Sequence, residues 1–76
     1  MMTTEKFLSD LRDEVFTETE ISQLTMTTKF KELDEWSSLT ALSLVAFFDM
    51  VLEQKISGDQ IKTSVTIEDL YSLLAD

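Results

Sequence analysis

The chain contains no cysteine, no histidine and no proline, and only one glycine among its 76 residues. Without cysteine it has neither a disulfide nor a thiol nucleophile, and without histidine it lacks an imidazole base and the usual zinc ligand. Carboxylates, lysines and one tyrosine remain for acid–base chemistry, but a chain this short offers no deep cleft to shift their pKa values. We therefore expect neither an enzyme nor a metal site, and a minimal carboxylate enzyme is the least favoured class.

Basic residues are also scarce, with 6 Lys and Arg against 15 Asp and Glu, for a net charge of −9. Nucleic acids and anionic membranes bind clustered cations, so this balance argues against both as partners. It favours either basic protein surfaces, through electrostatic steering, or simple solubility. The first eight residues contain no apolar signal region and the longest wholly apolar run is residues 44–48, which predicts a cytoplasmic protein without membrane insertion.

The scarcity of helix breakers, together with abundant Leu, Glu and Lys, predicts an all-α fold. We expect one domain over residues 1–76, arranged as a small four-helix bundle. It has three main helices, a short third helix and a long first loop. A chain of this size buries only about 60% of its unfolded surface, so its stability margin should be small.

The first helix is expected to begin at a Thr3 or Thr4 cap and to end near Thr17. Its apolar positions recur at spacings of three and four and predict one buried stripe, formed by Phe7, Leu8, Leu11, Val15 and Phe16. Residues 17–36 are predicted to be an ordered loop packed on the helices through Ile21, Leu24, Met26, Phe30, Leu33 and Trp36. Within this loop, Thr28 is expected to cap one helical turn.

The second helix is predicted over residues 38–54 and carries two apolar arcs at helical spacing. The expected core arc contains Ala41, Leu44, Val45, Phe48, Val51 and Leu52. The other arc contains Leu39, Leu42, Ala46 and Met50. It is either buried on a second side or exposed for contact with a partner, and we favour exposure because burying both sides is hard in so small a domain.

Two capping boxes mark the starts of the last two helices. One is Ser57-Gly58-Asp59-Gln60, with Ile56 and Ile61 as its hydrophobic staple, and the other is Thr66-Ile67-Glu68-Asp69, with Val65 and Leu70. The last helix is predicted to present Ile67, Leu70, Tyr71 and Leu74 at helical spacing.

Two serines stand at the start of the second helix, in Trp36-Ser37-Ser38-Leu39. On the pattern alone, the simpler interpretation is that Ser37 is the cap and Ser38 the first helical residue. The same geometry favours a phosphate ester on a hydroxyl, because the N–H groups and the dipole of a helix start stabilise negative charge.

Several elements together resemble an acyl carrier protein: Phe30, Leu33, the Trp36–Leu39 junction, the apolar second helix, Ile56, Ile61 and the start of the last helix. The resemblance covers residues 7–74. In that family a serine followed by leucine carries 4′-phosphopantetheine, derived from coenzyme A, through a phosphodiester. By position, the resemblance implies attachment at Ser38 and no catalysis by the chain itself.

The resemblance also implies a pocket for a medium or long acyl chain, formed by Leu44, Phe48, Ile56 and Ile61. Its expected partners are a phosphopantetheinyl transferase and acyl-loading, acyl-transfer or synthase enzymes of fatty acid, lipid or related biosynthesis, all serving a monomeric carrier. The expected docking surface contains Leu39, Leu42, Ser43, Ala46, Asp49, Met50 and Glu53. Of these only Asp49 and Glu53 are acidic, so docking should depend on apolar contact more than in many such carriers.

One departure from the family pattern lies at Ser37, where an aspartate usually precedes the modified serine. Attachment at Ser38 stays chemically possible because that aspartate is not the acceptor, but loading should depend on the transferase. Two alternatives stay open from the sequence: a carrier for amino acids or other non-fatty acids, and an unmodified acidic helical module for protein interaction.

Overall fold

The computed structural model describes residues 3–74, so residues 1, 2, 75 and 76 of the predicted domain lie outside the described residues. Four α-helices follow in order: α1 (Thr4–Glu14), α2 (Ser38–Met50), α3 (Gly58–Thr63) and α4 (Ile67–Tyr71). Between residues 3 and 74 there is no strand, and the radius of gyration is 11.0 Å, which is the size of a compact chain of this length. The all-α prediction is confirmed. The prediction of three main helices is wrong, because α4 has 5 residues and is shorter than α3 with 6.

The four helices begin at predicted caps, namely Thr3, Ser37, Ser57 and Thr66. Each cap side chain accepts a hydrogen bond from a backbone N–H in the first turn, which satisfies a donor that the helix itself leaves unpaired. Both capping boxes are complete. Hydrogen bonds from the N–H groups of Val65 and Thr66 to the Asp69 carboxylate hold the pKa of Asp69 below its ordinary value.

The hydrophobic core lies between α1 and α2 and is closed by the C-terminal residues. The Phe7 ring centroid lies 6.3 Å from that of Phe47, 6.2 Å from that of Phe48 and 5.3 Å from that of Tyr71. Four residues of the predicted α1 stripe are buried and Leu8 packs against them, so their burial is confirmed. The predicted helix end near Thr17 is wrong, because α1 ends at Glu14 and Val15 and Phe16 follow it. Ile56, Ile61, Ile67 and Leu70 are buried as predicted, whereas Val65, the other residue of the second expected staple, is about half exposed.

Helix α2 ends at Met50, four residues before the predicted end at Gln54. Beyond Met50, the Leu52 N–H donates to the carbonyl of Phe47 at 3.3 Å, and the Gln54 N–H reaches back to the carbonyl of Phe48 at 2.9 Å. Glu53 between them has φ of 54°, a left-handed conformation typical of a residue just past a helix end. Ile56, which follows this segment, is buried in the core.

The buried face of α2 is rotated relative to the predicted core arc. Phe47, which belonged to neither predicted arc, is 3% exposed, and Val51, placed in the core arc, is 45% exposed. Ala41 and Val45 are only half-buried. The difference arises because α1 contacts α2 on the side of Phe47, and hydrophobicity alone does not show on which apolar side the neighbouring helix lies.

Residues 15–37 form the long first loop, which contains two short 3₁₀ turns, Ile21–Gln23 and Phe30–Glu32. Leu24 and Phe30 are buried, and three more of the predicted packing residues lie against the core, namely Met26, Leu33 and Trp36. The prediction for Ile21 is wrong, since half of its surface is exposed.

Thr28 does not cap the second turn, contrary to prediction: that turn follows Lys29 and has no side-chain cap. The Thr28 hydroxyl instead donates to the carbonyl of Gln23 at 2.7 Å and accepts from the N–H of Thr25 at 2.9 Å. The Thr28 carbonyl accepts from the N–H of Ile67 at 3.0 Å. Thr28 therefore holds the loop on itself and on the start of α4.

Candidate functional site

The start of α2 is the part of the molecule in which the predicted site lies. Ser37 is extended, and its hydroxyl oxygen accepts from the N–H of Thr40 at 3.3 Å. The same oxygen lies 3.2 Å from the hydroxyl of Thr40. Ser37 is therefore the cap, and Ser38 is the first residue of the helix, as the sequence predicted.

Ser38 is exposed, and no hydrogen bond joins its hydroxyl to any residue between 3 and 74. Ser37 already satisfies the N–H of Thr40, which leaves the N–H groups of Ser38 and Leu39 in the first turn. Such groups, and the positive end of the helix dipole, stabilise an anion bonded at this position. The Ser38 hydroxyl is thus accessible, uncommitted and placed where a phosphate ester is electrostatically favoured.

Two further side chains hold this junction in place, and sequence reasoning identified neither. The buried Thr40 donates its hydroxyl hydrogen to the carbonyl of Glu35. The Glu35 carboxylate accepts from the N–H of Glu18 at 3.1 Å and from the hydroxyl of Thr19 at 2.8 Å. The beginning and the end of the long loop are therefore joined immediately before Ser38. A threonine inside a predicted helix and one glutamate among many carry no sequence signal for this arrangement.

Trp36 completes the junction as a packed aromatic residue. Its ring centroid lies 5.2 Å from that of Phe30 and 6.4 Å from that of Phe16. It remains half-buried, because its other side contributes to an open groove. The prediction that Trp36 packs on the core is confirmed, and the groove is an additional role.

The groove has a volume of about 490 Å³ and lies between the loop, α2 and α3, within the usual size range of small-molecule sites. Its lining is mainly apolar and consists of Lys31, Trp36, Ser38, Ala41, Leu42, Val45, Gly58, Ile61 and Lys62. Ser38 thus lies at the wall of an apolar groove. Gly58 lines the groove without a side chain, and nothing lies within 4 Å of the position that a Cβ on this residue would occupy.

The four residues predicted to form an acyl pocket lie in two different environments. Ile61 lines the groove. Leu44, Phe48 and Ile56 are buried in the core and do not line it. On α2 the groove is lined by Ser38, Ala41, Leu42 and Val45 instead, of which the sequence had suggested Ala41 and Val45 for the core. Lys31 and Lys62 were not singled out by sequence reasoning, since their meeting depends on the path of the loop.

The predicted docking surface is exposed along α2. Leu39, Leu42 and Met50 are 72%, 67% and 78% exposed, and Ala46, Asp49 and Glu53 are exposed as well. Ser43 is half-buried. Apart from Ser43, the predicted surface is therefore accessible to solvent.

Within residues 3–74, no cluster of three or more Asp and Glu side chains is arranged to hold a metal ion. None of the described helices has the length and apolar character needed to cross a membrane. Comparisons of the chain with protein-family models, curated proteins and solved structures give no match.

Proposed function

We propose that the chain is an acyl carrier, modified on Ser38 with 4′-phosphopantetheine from coenzyme A. The Ser38 oxygen would bond to the phosphorus of the pantetheine phosphate as the pyrophosphate bond of coenzyme A breaks. The adenosine bisphosphate half leaves, and the hydroxyl proton passes to a base of the transferase. The thiol of the arm then carries an acyl group as a thioester, so the carrier itself performs no catalysis.

The observation that carries this proposal is the state of Ser38. Its hydroxyl is exposed and makes no hydrogen bond, it lies in the first turn of a capped helix, and it adjoins an apolar groove. A buried or hydrogen-bonded serine would resist modification, whereas a phosphodiester at this helix start is stabilised by N–H groups and the helix dipole. The resemblance of the surrounding residues to acyl carrier proteins supports the same assignment.

The same proposal covers the arrangement of the helices, the oligomeric state and the partners. The four helices would form the bundle of that family, and the carrier would act as a cytoplasmic monomer. Its partners would be a phosphopantetheinyl transferase and enzymes that load, extend or transfer fatty, lipid-related, amino or other acyl groups. They would dock on Leu39, Leu42, Ala46 and Met50, assisted by Ser43, Asp49 and Glu53.

Modification is tested by incubating the unmodified protein with coenzyme A and a broad-specificity phosphopantetheinyl transferase, followed by intact-mass measurement. We expect a mass gain of one arm that is lost in Ser38→Ala and kept in Ser37→Ala. The absence of a gain with several transferases would contradict the carrier function. A gain that persists in Ser38→Ala and disappears in Ser37→Ala would move the site by one residue.

A second candidate is an unmodified interaction module, favoured by two observations: the exposed apolar surface of α2 and Ser37 in the position where carriers usually have aspartate. Leu42→Glu places a charge on this surface and should reduce acyl transfer by a partner enzyme while helicity is retained. If Leu42→Glu abolishes partner binding in a protein that no transferase modifies, the interaction module is the better assignment.

A further inference from the structure

The groove beside Ser38 combines an apolar wall with two cationic side chains. Trp36, Val45 and Ile61 line it with apolar side chains, and Lys31 and Lys62 are also among its lining residues. This is unexpected in a chain with only 6 basic residues and a net charge of −9. The two cations therefore make this groove different in charge from most of the molecule.

Neither lysine has an acidic partner among the described residues. The ion pairs found between residues 3 and 74 are Lys6 with Asp10 and Arg12 with Asp13, both on α1. Lys31 and Lys62 remain without a carboxylate within 4.0 Å, although acidic residues outnumber basic ones by 15 to 6. An ammonium group beside apolar surface can form a charge-assisted hydrogen bond with the carboxylate of a ligand whose chain covers that surface.

The Lys31 ammonium is held in place rather than free to rotate into solvent. It donates to the carbonyl of Lys62 at 2.7 Å and lies 5.7 Å from the centroid of the Phe30 ring. An ammonium group has three donors, so two remain available. Because the long loop fixes Lys31 against the end of α3, part of the ordering cost of binding is already met before a ligand arrives.

We infer that the groove binds an apolar chain bearing a carboxylate, with the chain against Trp36, Val45 and Ile61 and the carboxylate against Lys31 and Lys62. With Ser38 modified, the cargo class becomes acyl groups whose free end is a carboxylate. This extension to the cargo rests on the proposed function, but binding of the free amphipathic anion does not.

The residues that line the groove indicate both parts of the proposed ligand, the apolar chain and the carboxylate. An apolar ligand alone would leave the two ammonium groups without an anion. A small anion alone would leave the apolar wall exposed to solvent. A chain with a carboxylate satisfies both, because burial of the chain is favourable in proportion to its apolar area and a carboxylate accepts charge-assisted hydrogen bonds from lysine.

The single tryptophan makes the site directly measurable, because Trp36 lines the groove. The unmodified protein is titrated at neutral pH with octanoate, octanol and inorganic phosphate while Trp36 fluorescence is recorded. We expect octanoate to give a saturable change at lower concentration than octanol, with affinity falling as salt is added. Equal affinity for octanoate and octanol would overturn the role of the lysines, and equal affinity for phosphate and octanoate would overturn the role of the chain.

Two double variants distinguish an effect of where the lysines lie from an effect of the net charge of the protein. Lys31→Gln with Lys62→Gln removes the groove cations, whereas Lys29→Gln with Lys55→Gln removes two exposed lysines that do not line the groove. Both variants change the net charge by the same two units. We expect octanoate affinity to fall about five- to tenfold in the first variant and to change little in the second. An equal loss in both would mean that only net charge matters and would overturn the proposal.

The double variant also removes the hydrogen bond of Lys31, and its loss could disturb the loop. Lys62→Gln alone avoids this problem, because no described hydrogen bond or ion pair involves the Lys62 ammonium group. Circular dichroism checks the fold of each variant, and a folded Lys62→Gln protein with unchanged octanoate affinity would remove Lys62 from the site.

Octanoate binding by a protein that no transferase modifies would contradict the carrier function alone. Modification of Ser38 without octanoate binding would contradict this inference alone.

Discussion

The two sides of α2 have similar hydrophobicity and opposite environments. Leu44 on the inner side is fully buried, while Leu42, two residues earlier, is largely exposed. The inner side packs on α1 through Phe47 and Phe48, whereas Leu39, Leu42 and Met50 on the outer side remain exposed. An apolar residue on this helix is therefore buried in the core or left exposed depending on where α1 lies.

The inner side should show the largest effect on stability. Leu44→Ala removes fully buried methyl groups and leaves a cavity, and we expect the free energy of unfolding to fall by ~2–5 kcal/mol. That is a large share of the total of about 4–11 kcal/mol expected for a chain of this length. Urea unfolding followed by Trp36 fluorescence and circular dichroism measures it. A loss below ~1 kcal/mol would remove the distinction between the two sides.

A substitution at Thr40 tests the hydrogen bond on the inner side of α2. Thr40→Val keeps the side-chain shape but removes the hydroxyl that donates to the Glu35 carbonyl, and we expect a loss of ~1–2 kcal/mol because the partner is left without its donor. The matched control is Thr63→Val, since Thr63 is exposed on α3 and its hydroxyl bonds carbonyls of its own helix. Equal losses in the two variants would show that the Thr40–Glu35 bond does not stabilise the loop junction.

Removal of the cap at the start of α2 should have a smaller effect on the free energy of unfolding. Ser37→Ala removes the side chain that accepts from the Thr40 N–H, and loss of a cap of this kind costs about 1 kcal/mol. Thermal unfolding monitored by circular dichroism reports the change, with Ser57→Ala at the start of α3 as a second cap for comparison. An unchanged melting temperature in Ser37→Ala would indicate that the Thr40 network alone defines the helix start.

Local chemistry accounts for the features that could be predicted from sequence. The caps at Ser37, Ser57 and Thr66 depend on residues within one helical turn, so the sequence pattern indicated all three helix starts. The position of Ser38 in the first turn followed from the same reasoning. Whether Ser38 is modified stays a prediction.

Contacts distant in sequence account for what could not be predicted. The end of α2, the burial of Phe47 and the hydrogen bonds of Glu35 depend on where α1 and the loop lie in space. The groove depends on the same arrangement, because Lys31 comes from the loop, Val45 from α2 and Lys62 from α3. No periodicity within one segment indicates that these residues meet.

The outer side should show the smallest effect on stability and gives the strictest test of the comparison. Leu42→Ala removes the same methyl groups as Leu44→Ala, but from a side chain that is 67% exposed. We expect a change within about 0.5 kcal/mol, since little buried area is lost and alanine has the higher helix propensity. The measurement is the urea unfolding used for Leu44→Ala, so the two values are directly comparable. A loss of ~2 kcal/mol or more would place Leu42 in the core, and the outer side of α2 would then no longer be available as a surface for partners.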